Sequence, residues 1–324
     1  MLTYIVRRIG YSIPVLVVSS FLIFSFVSYV GDPLAALKMR PTVSAETIRQ
    51  IEHEKHLDRP IPVRYLYWVR DATLHKFGKT LLGDRPVWND LRRVMPHTFQ
   101  LVLAAETMAI LIAIGVGVYS AIRQYSAVDY VATTFSFLAF ATPVFWLALI
   151  LQIVFTDVYL HWHVRVFYTS GLNSADAGHG IHFVVDRIQH LGLPVFTLMV
   201  LSIALYTRYL RASLLDVIGS DYVRTARAKG LHEARVTMRH AFRNALIPLV
   251  TVIALNLSGL LSGAVVTETV FQLDGMGPYF IASLGAQDVY PVMAWLMVTS
   301  IVVIVFNLLA DVALGLLDPR IRLG

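Results

Sequence analysis

Three carboxylates stand inside or beside stretches that are otherwise apolar: Glu106, Glu268 and Asp311. An ionisable group in such a setting marks a pathway or a pairing site by default. Glu106, Glu268 and Asn256 are therefore candidates for a translocation path, with Glu268 at its outer mouth and Glu106 facing the bundle interior. Asp311 reads instead as an interfacial residue close to Arg320 or Arg322, and Asn256 and Asn307 as interhelical hydrogen-bond partners. Covalent chemistry lacks its parts. The chain has no cysteine, which excludes disulfides, thiolate metal sites and a cysteine nucleophile. It has no Gly-x-x-x-x-Gly-Lys-Ser/Thr phosphate loop, no Gly-x-Ser-x-Gly elbow and no His-Glu-x-x-His helix. The chain is read as a non-catalytic one, with no cofactor and no resident metal. Five of its eleven histidines (His161, His163, His179, His182 and His190) fall in one loop. His-x-His can bind nickel, zinc or haem iron, but a polar loop rich in histidine is the plainer reading.

A second polar feature lies between two apolar stretches, at residues 220–248. Asp221–Lys229 is expected to be helical. Ser220 suits the N-cap, Asp221 complements the positive end of the dipole, and Gly230 can take the left-handed conformation after the last turn. Tyr222, Thr225 and Ala226 then share a face, with Lys229 on the same side. A short helix with a small-residue face can dock in a partner's groove; an ordinary basic loop is the other reading.

The elements that must position these groups are membrane helices. Of 324 residues, 56% are hydrophobic and only 15% charged, against about 25% charged in a soluble domain. Six spans are expected: Ile9–Val30, Thr98–Ile122, Val131–Phe155, Leu191–Tyr209, Leu246–Phe271 and Val289–Leu314. Each is long enough, at about 1.5 Å per residue, to cross a hydrocarbon core of about 30 Å, and must be helical because lipid offers the backbone no partners. The run after Arg7-Arg8 is too long for a signal peptide, so an uncleaved first helix is expected. The formal charge is +6. Its basic residues flank spans, so topology accounts for them better than nucleic acid does. Arg7, Arg8, Arg123, the arginines of 208–243, Arg320 and Arg322 put both termini in the cytoplasm. The 31–97 segment holds twelve basic and eight acidic residues, but it is long enough to escape that rule and is placed outside.

The organisation read from these signals is a first span within 1–30, an extracytoplasmic helical segment at 31–97, a membrane core holding the other five spans at 98–315 and a cytoplasmic tail at 316–324. In the outer segment, Ser44 caps a helix running to about His56, Pro60 and Pro62 break it, and a second helix runs from Val63 to about His75. Pro86 starts a third, short helix, with Trp88, Leu91 and Met95 on one side and Asn89, Arg92 and Arg93 on another. Such a stripe suits either a helix on the membrane surface or a subdomain packed on itself. Pro143 is expected to kink the third span. Ser258, Gly259, Ser262 and Gly263 form two small-xxx-small pairs in the fifth, read as an interface with a second subunit in preference to packing within the chain.

The polar loop resembles that of ABC-importer permeases. Arg224-Thr225-Ala226 stand where Glu-Ala-Ala usually stand, and Gly230 matches the motif's glycine. Arginine for glutamate and the absence of Leu-Pro at its usual spacing depart from the general pattern. Tyr222–Gly230, Arg239–Pro248, Gly31-Asp32-Pro33, Leu57-Asp58-Arg59-Pro60, Thr267–Phe271, Gly275-Met276-Gly277 and Asp318-Pro319-Arg320 are similar to the peptide branch. Leu273-Asp274 stands where relatives often have Pro-Gly. The resemblance covers nearly the whole chain and is closest to the B-type permease of oligopeptide and dipeptide importers. It implies a type I permease fold and residues 220–230 as a coupling helix, with Tyr222, Arg224, Thr225, Ala226, Lys229 and Gly230 serving the ATPase. It further implies a homologous second permease, an extracytoplasmic binding protein, a bacterial-type cell membrane, and ATP and Mg on partner ATPase subunits. Some relatives carry nickel or haem. A proton-coupled carrier is the rival class, and it would want paired carboxylates or histidines at the membrane midplane.

Overall fold

The computed structural model describes residues 2–39, 43–74, 77–81 and 83–317. Their helices are α1 (Leu2–Val30), α2 (Ala35–Lys38), α3 (Ala45–Glu54), α4 (Ile61–Leu74), α5 (Val87–Ile122), α6 (Ala127–Ala141), α7 (Val144–Trp162), α8 (Ile181–Ile218), α9 (Asp221–Ala228), α10 (Glu233–Arg235), α11 (Phe242–Val270), α12 (Met276–Gly285) and α13 (Val289–Leu317). A π-helical turn, Val236–Ala241, leads into α11. Among the described residues, α1, α5, α7, α8, α11 and α13 contain apolar stretches long enough to cross a membrane.

The third span differs from expectation. Pro143 does not kink one helix over Val131–Phe155; it separates two. Proline's ring drives the preceding residue out of the helical region. Thr142 accordingly sits at φ −93°, ψ 117°, and Pro143, also extended, becomes the N-cap of α7. The fourth span is longer than expected. At 38 residues α8 reaches about 57 Å, well beyond a hydrocarbon core of about 30 Å. The short helix expected after Pro86 is not separate: α5 runs through Pro96 without a break. The stretch between the fifth and sixth expected spans contains α12.

The chain divides into two compact units. The first comprises residues 98–273 and the end of α13 from residue 305. Within it α8 packs along α11, α6 and α7, with Ala139, Val200 and Ala204 buried at one contact. Ion pairs and hydrogen bonds pin these helices. Arg211 grips Asp129 bidentately at 2.6 and 2.8 Å, and the Gln152 amide donates to Thr169 O at 2.7 Å and Val270 O at 2.9 Å.

The second unit comprises residues 2–97 and 274–304. Ser44 caps α3 as expected, accepting from Thr47 N at 3.1 Å. Tyr65 and Trp68 of α4 bury themselves beside Phe24, and the Tyr65 hydroxyl meets Ser20 Oγ at 2.8 Å. Gly31 lets the chain pass close to Gln287: a Cβ there would lie 3.3 Å from its Cβ, and Asp32 N donates to its Oε1 at 3.0 Å. Val87, Leu91 and Val94 are buried against Met276, Ala294 and Val298. Of the stripe expected after Pro86, Leu91 is buried in this core and Met95 packs against it, while Trp88 stacks on Phe77, which favours the subdomain over the membrane-surface reading.

Candidate functional site

The α9 hairpin is built largely from local signals. Ser220 holds extended N-cap angles, φ −72° and ψ 152°. Its hydroxyl, however, donates back to Val217 O at 2.6 Å instead of capping α9. Gly230 takes φ +76°, the left-handed conformation expected of it, and nothing lies within 4 Å of where a Cβ would stand. Across that turn Arg227 grips Glu233, with Nη2 2.6 Å from Oε1. The pair holds the Arg227 guanidinium above and the Glu233 carboxyl below their ordinary ranges, chiefly through this hydrogen bond. The Tyr222 hydroxyl accepts from Asn244 Nδ2 at 2.7 Å, joining α9 to the start of α11.

Exposure divides the expected docking residues. Tyr222, Arg224, Thr225 and Lys229 lie on the surface, the Arg224 side chain 73% exposed. Ala226 does not; with Val223 it is buried, at 8% and 0% exposure. Ala226 therefore belongs to the inner face, one helical turn after Val223, and corrects the expected outward Tyr222–Thr225–Ala226 face. The π turn that follows buries Val236 and Ala241 completely. No residue pattern in the sequence marked it.

The carboxylates expected near a path are buried among the chain's own helices. Glu106 is 6% exposed: Tyr206 donates its hydroxyl to Oε1 at 2.5 Å, and Asn256 Nδ2 donates to the Tyr206 hydroxyl and to Ser202 Oγ, each at 2.9 Å. One network thus joins α5, α8 and α11. Glu268, 1% exposed, accepts from Thr98 Oγ1 at 2.5 Å. Asn256 is the interhelical partner expected; Asn307 makes no such bond among the described residues. Arg320 and Arg322, with Asp318-Pro319-Arg320, lie outside the described residues.

The small-residue stripe of α11 also divides. A Cβ at Gly263 would meet Leu198 of α8 at 3.5 Å, so this position packs inside the chain, whereas Gly259 is open. The side chains of Ser258 and Ser262 lie outside the described residues. His190 stacks on Tyr168 at 3.9 Å and donates from Nδ1 to Asp186 O at 2.8 Å. His161 bonds to Asp157 O. These contacts give the two histidines ordinary structural partners.

In the second unit Asp288 is the most enclosed carboxylate, 7% exposed. It accepts from Leu81 N at 2.8 Å and Tyr290 N at 3.2 Å, tying the turn at residues 77–86 to the start of α13. Burial pushes its carboxyl up to about 6, although both backbone bonds pull it down.

The same architecture appears in known proteins. The family described as binding-protein-dependent transport system inner membrane component matches residues 113–323, and its N-terminal companion matches residues 1–102. The oligopeptide transport system permease protein AppB of Bacillus subtilis is 38% identical, over 99% of this chain and all of that one. OppB of Mycobacterium tuberculosis, also an oligopeptide permease protein, is 36% identical over the full length of both. The dipeptide permease protein DppB of Escherichia coli is 32% identical over 99% of each. In fold, the chain is similar to a crystal structure of an amino acid ABC transporter with histidines. The TM-score there is 0.50, at 13% identity, covering 70% of this chain and 93% of that one. The chain belongs to the binding-protein-dependent transport family of inner membrane components, in the branch of the oligopeptide and dipeptide permeases, and is a multi-pass membrane protein.

Proposed function

We propose that this chain is the B-type permease subunit of an ATP-driven importer and forms half of a translocation pathway for oligopeptides or dipeptides. The full-length likeness to peptide permeases supports the cargo. The observation that carries the coupling role is α9: a polar helix held by Gly230 and by the Arg227–Glu233 pair, with Tyr222, Arg224, Thr225 and Lys229 outward. In this reading α9 docks on a separate ATPase subunit, where ATP and Mg reside, and Ala226 supports it from behind. Both termini are cytoplasmic, residues 31–97 face an extracytoplasmic binding protein, and the chain sits in a bacterial-type cell membrane. A homologous second permease completes the pathway, with Gly259 on the open part of the α11 stripe at that contact. Glu106, Asn256 and Glu268 join the path only in a conformation where α5, α8 and α11 part.

The test is reconstitution of the importer in liposomes with its binding protein and a labelled tripeptide. ATP-dependent uptake that survives a protonophore is expected. Uptake collapsed by the protonophore and indifferent to ATP would overturn the reading in favour of a proton-coupled carrier.

A further inference from the structure

The unit built from residues 2–97 and 274–304 contains a cleft of about 600 Å³, within the range of small-ligand sites. Most charges in its wall are satisfied locally. Lys55 Nζ lies 2.5 Å from Asp84 Oδ1, Arg70 Nη2 lies 3.3 Å from Asp71 Oδ1, and the Tyr290 hydroxyl donates to Asp71 Oδ2 at 3.3 Å. Glu54 and Lys79 also line the cleft, from the end of α3 and from the turn before α5; neither makes an ion pair among the described residues. The turn that carries Lys79 lies directly on the Tyr290 ring. A Cβ at its neighbour Gly78, which sits at φ +71°, would come within 3.0 Å of that ring. Lys79 lies close enough to Asp84 to act on its charge, but Asp84 is already paired with Lys55, so among the described residues the wall offers a carboxylate and an ammonium outside any ion pair, around a concave, partly apolar space.

We propose that this cleft is a subsite for a short peptide with free termini, Glu54 receiving its ammonium and Lys79 its carboxylate. The proposal rests on the peptide reading above. Concavity favours a small ligand over a docked protein, whose contact surface is broad and whose area is large.

The test uses the whole importer in liposomes and compares trialanine with its N-acetyl and C-amide forms, in wild type, Lys79→Ala and Glu54→Ala. Both side chains are exposed, and ATPase activity of the assembled complex checks that the variants are intact. Lys79→Ala should raise the half-saturating concentration of trialanine about two- to fivefold and leave that of the amide unchanged. Glu54→Ala should do the same for trialanine and leave the N-acetyl form unchanged. Unchanged values in both variants, with trialanine taken up by wild type, would overturn the subsite and leave the peptide reading standing. An equal loss for all three compounds would overturn it in favour of binding-protein docking. Failure of wild type to take up any of them would remove the peptide reading itself.

Discussion

The α9 hairpin and the Glu106–Tyr206–Asn256 network are both polar islands in an apolar chain, and they treat polarity in opposite ways. In the network the polar groups are turned inward and bonded across three helices, Glu106 remaining 6% exposed. In α9 the apolar Val223 and Ala226 are turned inward, and the polar side chains are left outside. A buried polar group must find its partner within the chain, because an unmade bond there is costly. A surface group is under no such demand, so a polar helix kept ordered at the surface is free to meet another molecule.

The largest expected effects are at α9 and the turn that ends it. Gly230→Asp or Ala226→Asp should leave the chain inserted and abolish ATP-driven uptake. Ala226 is buried, so its loss of function mixes docking with packing. Thr225→Asp, on the exposed face, separates the two. It should keep the chain's thermal midpoint within a degree or so while cutting uptake at least tenfold. Normal uptake in Thr225→Asp, beside none in Ala226→Asp, would mean that only the inner face matters and would break the contrast.

Asp288 sharpens the comparison from outside the spans. Its folded value, about 6, lies above the ordinary 3.8, so the folded chain holds a proton that the unfolded chain releases between those values. The stability this contributes is fully present below about 4 and lost as pH rises through about 6, on the order of 2–3 kcal/mol. Thermal unfolding of wild type should therefore shift upward between pH 7 and pH 5 relative to Asp288→Asn. Parallel shifts in the two proteins would contradict the assignment.

A smaller effect is expected at Glu106. Glu106→Leu should lower stability by about 1–2 kcal/mol through the lost interhelical bond, measured by thermal unfolding in detergent, with uptake retained in Glu106→Gln. A stable Glu106→Gln chain without uptake would mean that the charge of Glu106, and not only its hydrogen bond, is required, and would erase its difference from α9. Smallest is Gly230→Ala, where a side chain at φ +76° costs about 1 kcal/mol in the same unfolding measurement, without loss of uptake.

What could be read from the residues was mostly local. Gly230 and Ser44 each act through neighbours a few positions away, and the helices they bound fall where expected or within a few residues; Pro143 also acts locally, but it ends one helix and starts another instead of kinking a single span. Hydropathy located five of the six crossing stretches closely, because length and apolarity alone define them, and placed the third across the break between α6 and α7. It could not find the first turns of α5 and α8, where helix forms among polar residues such as Arg92 and Arg187 that carry no hydropathy signal. Nor could it find α12, which at ten residues is too short to register as a crossing stretch. The orientation of Ala226 depends on what α9 packs against. Glu106 could be singled out as a carboxylate in an apolar run, but its partner Tyr206 lies a hundred residues away in sequence.

The most direct measurement uses the chain's lack of cysteine. A Thr225→Cys variant carries a single thiol, in the middle of the exposed face of α9. Treated with a short thiol–amine crosslinker in the assembled importer, it should give a product containing the ATPase subunit. It should also be protected from small thiol reagents relative to the isolated chain. A thiol that labels fully in the assembled importer and yields no ATPase product would contradict the account, because the exposed face of α9 would then meet nothing.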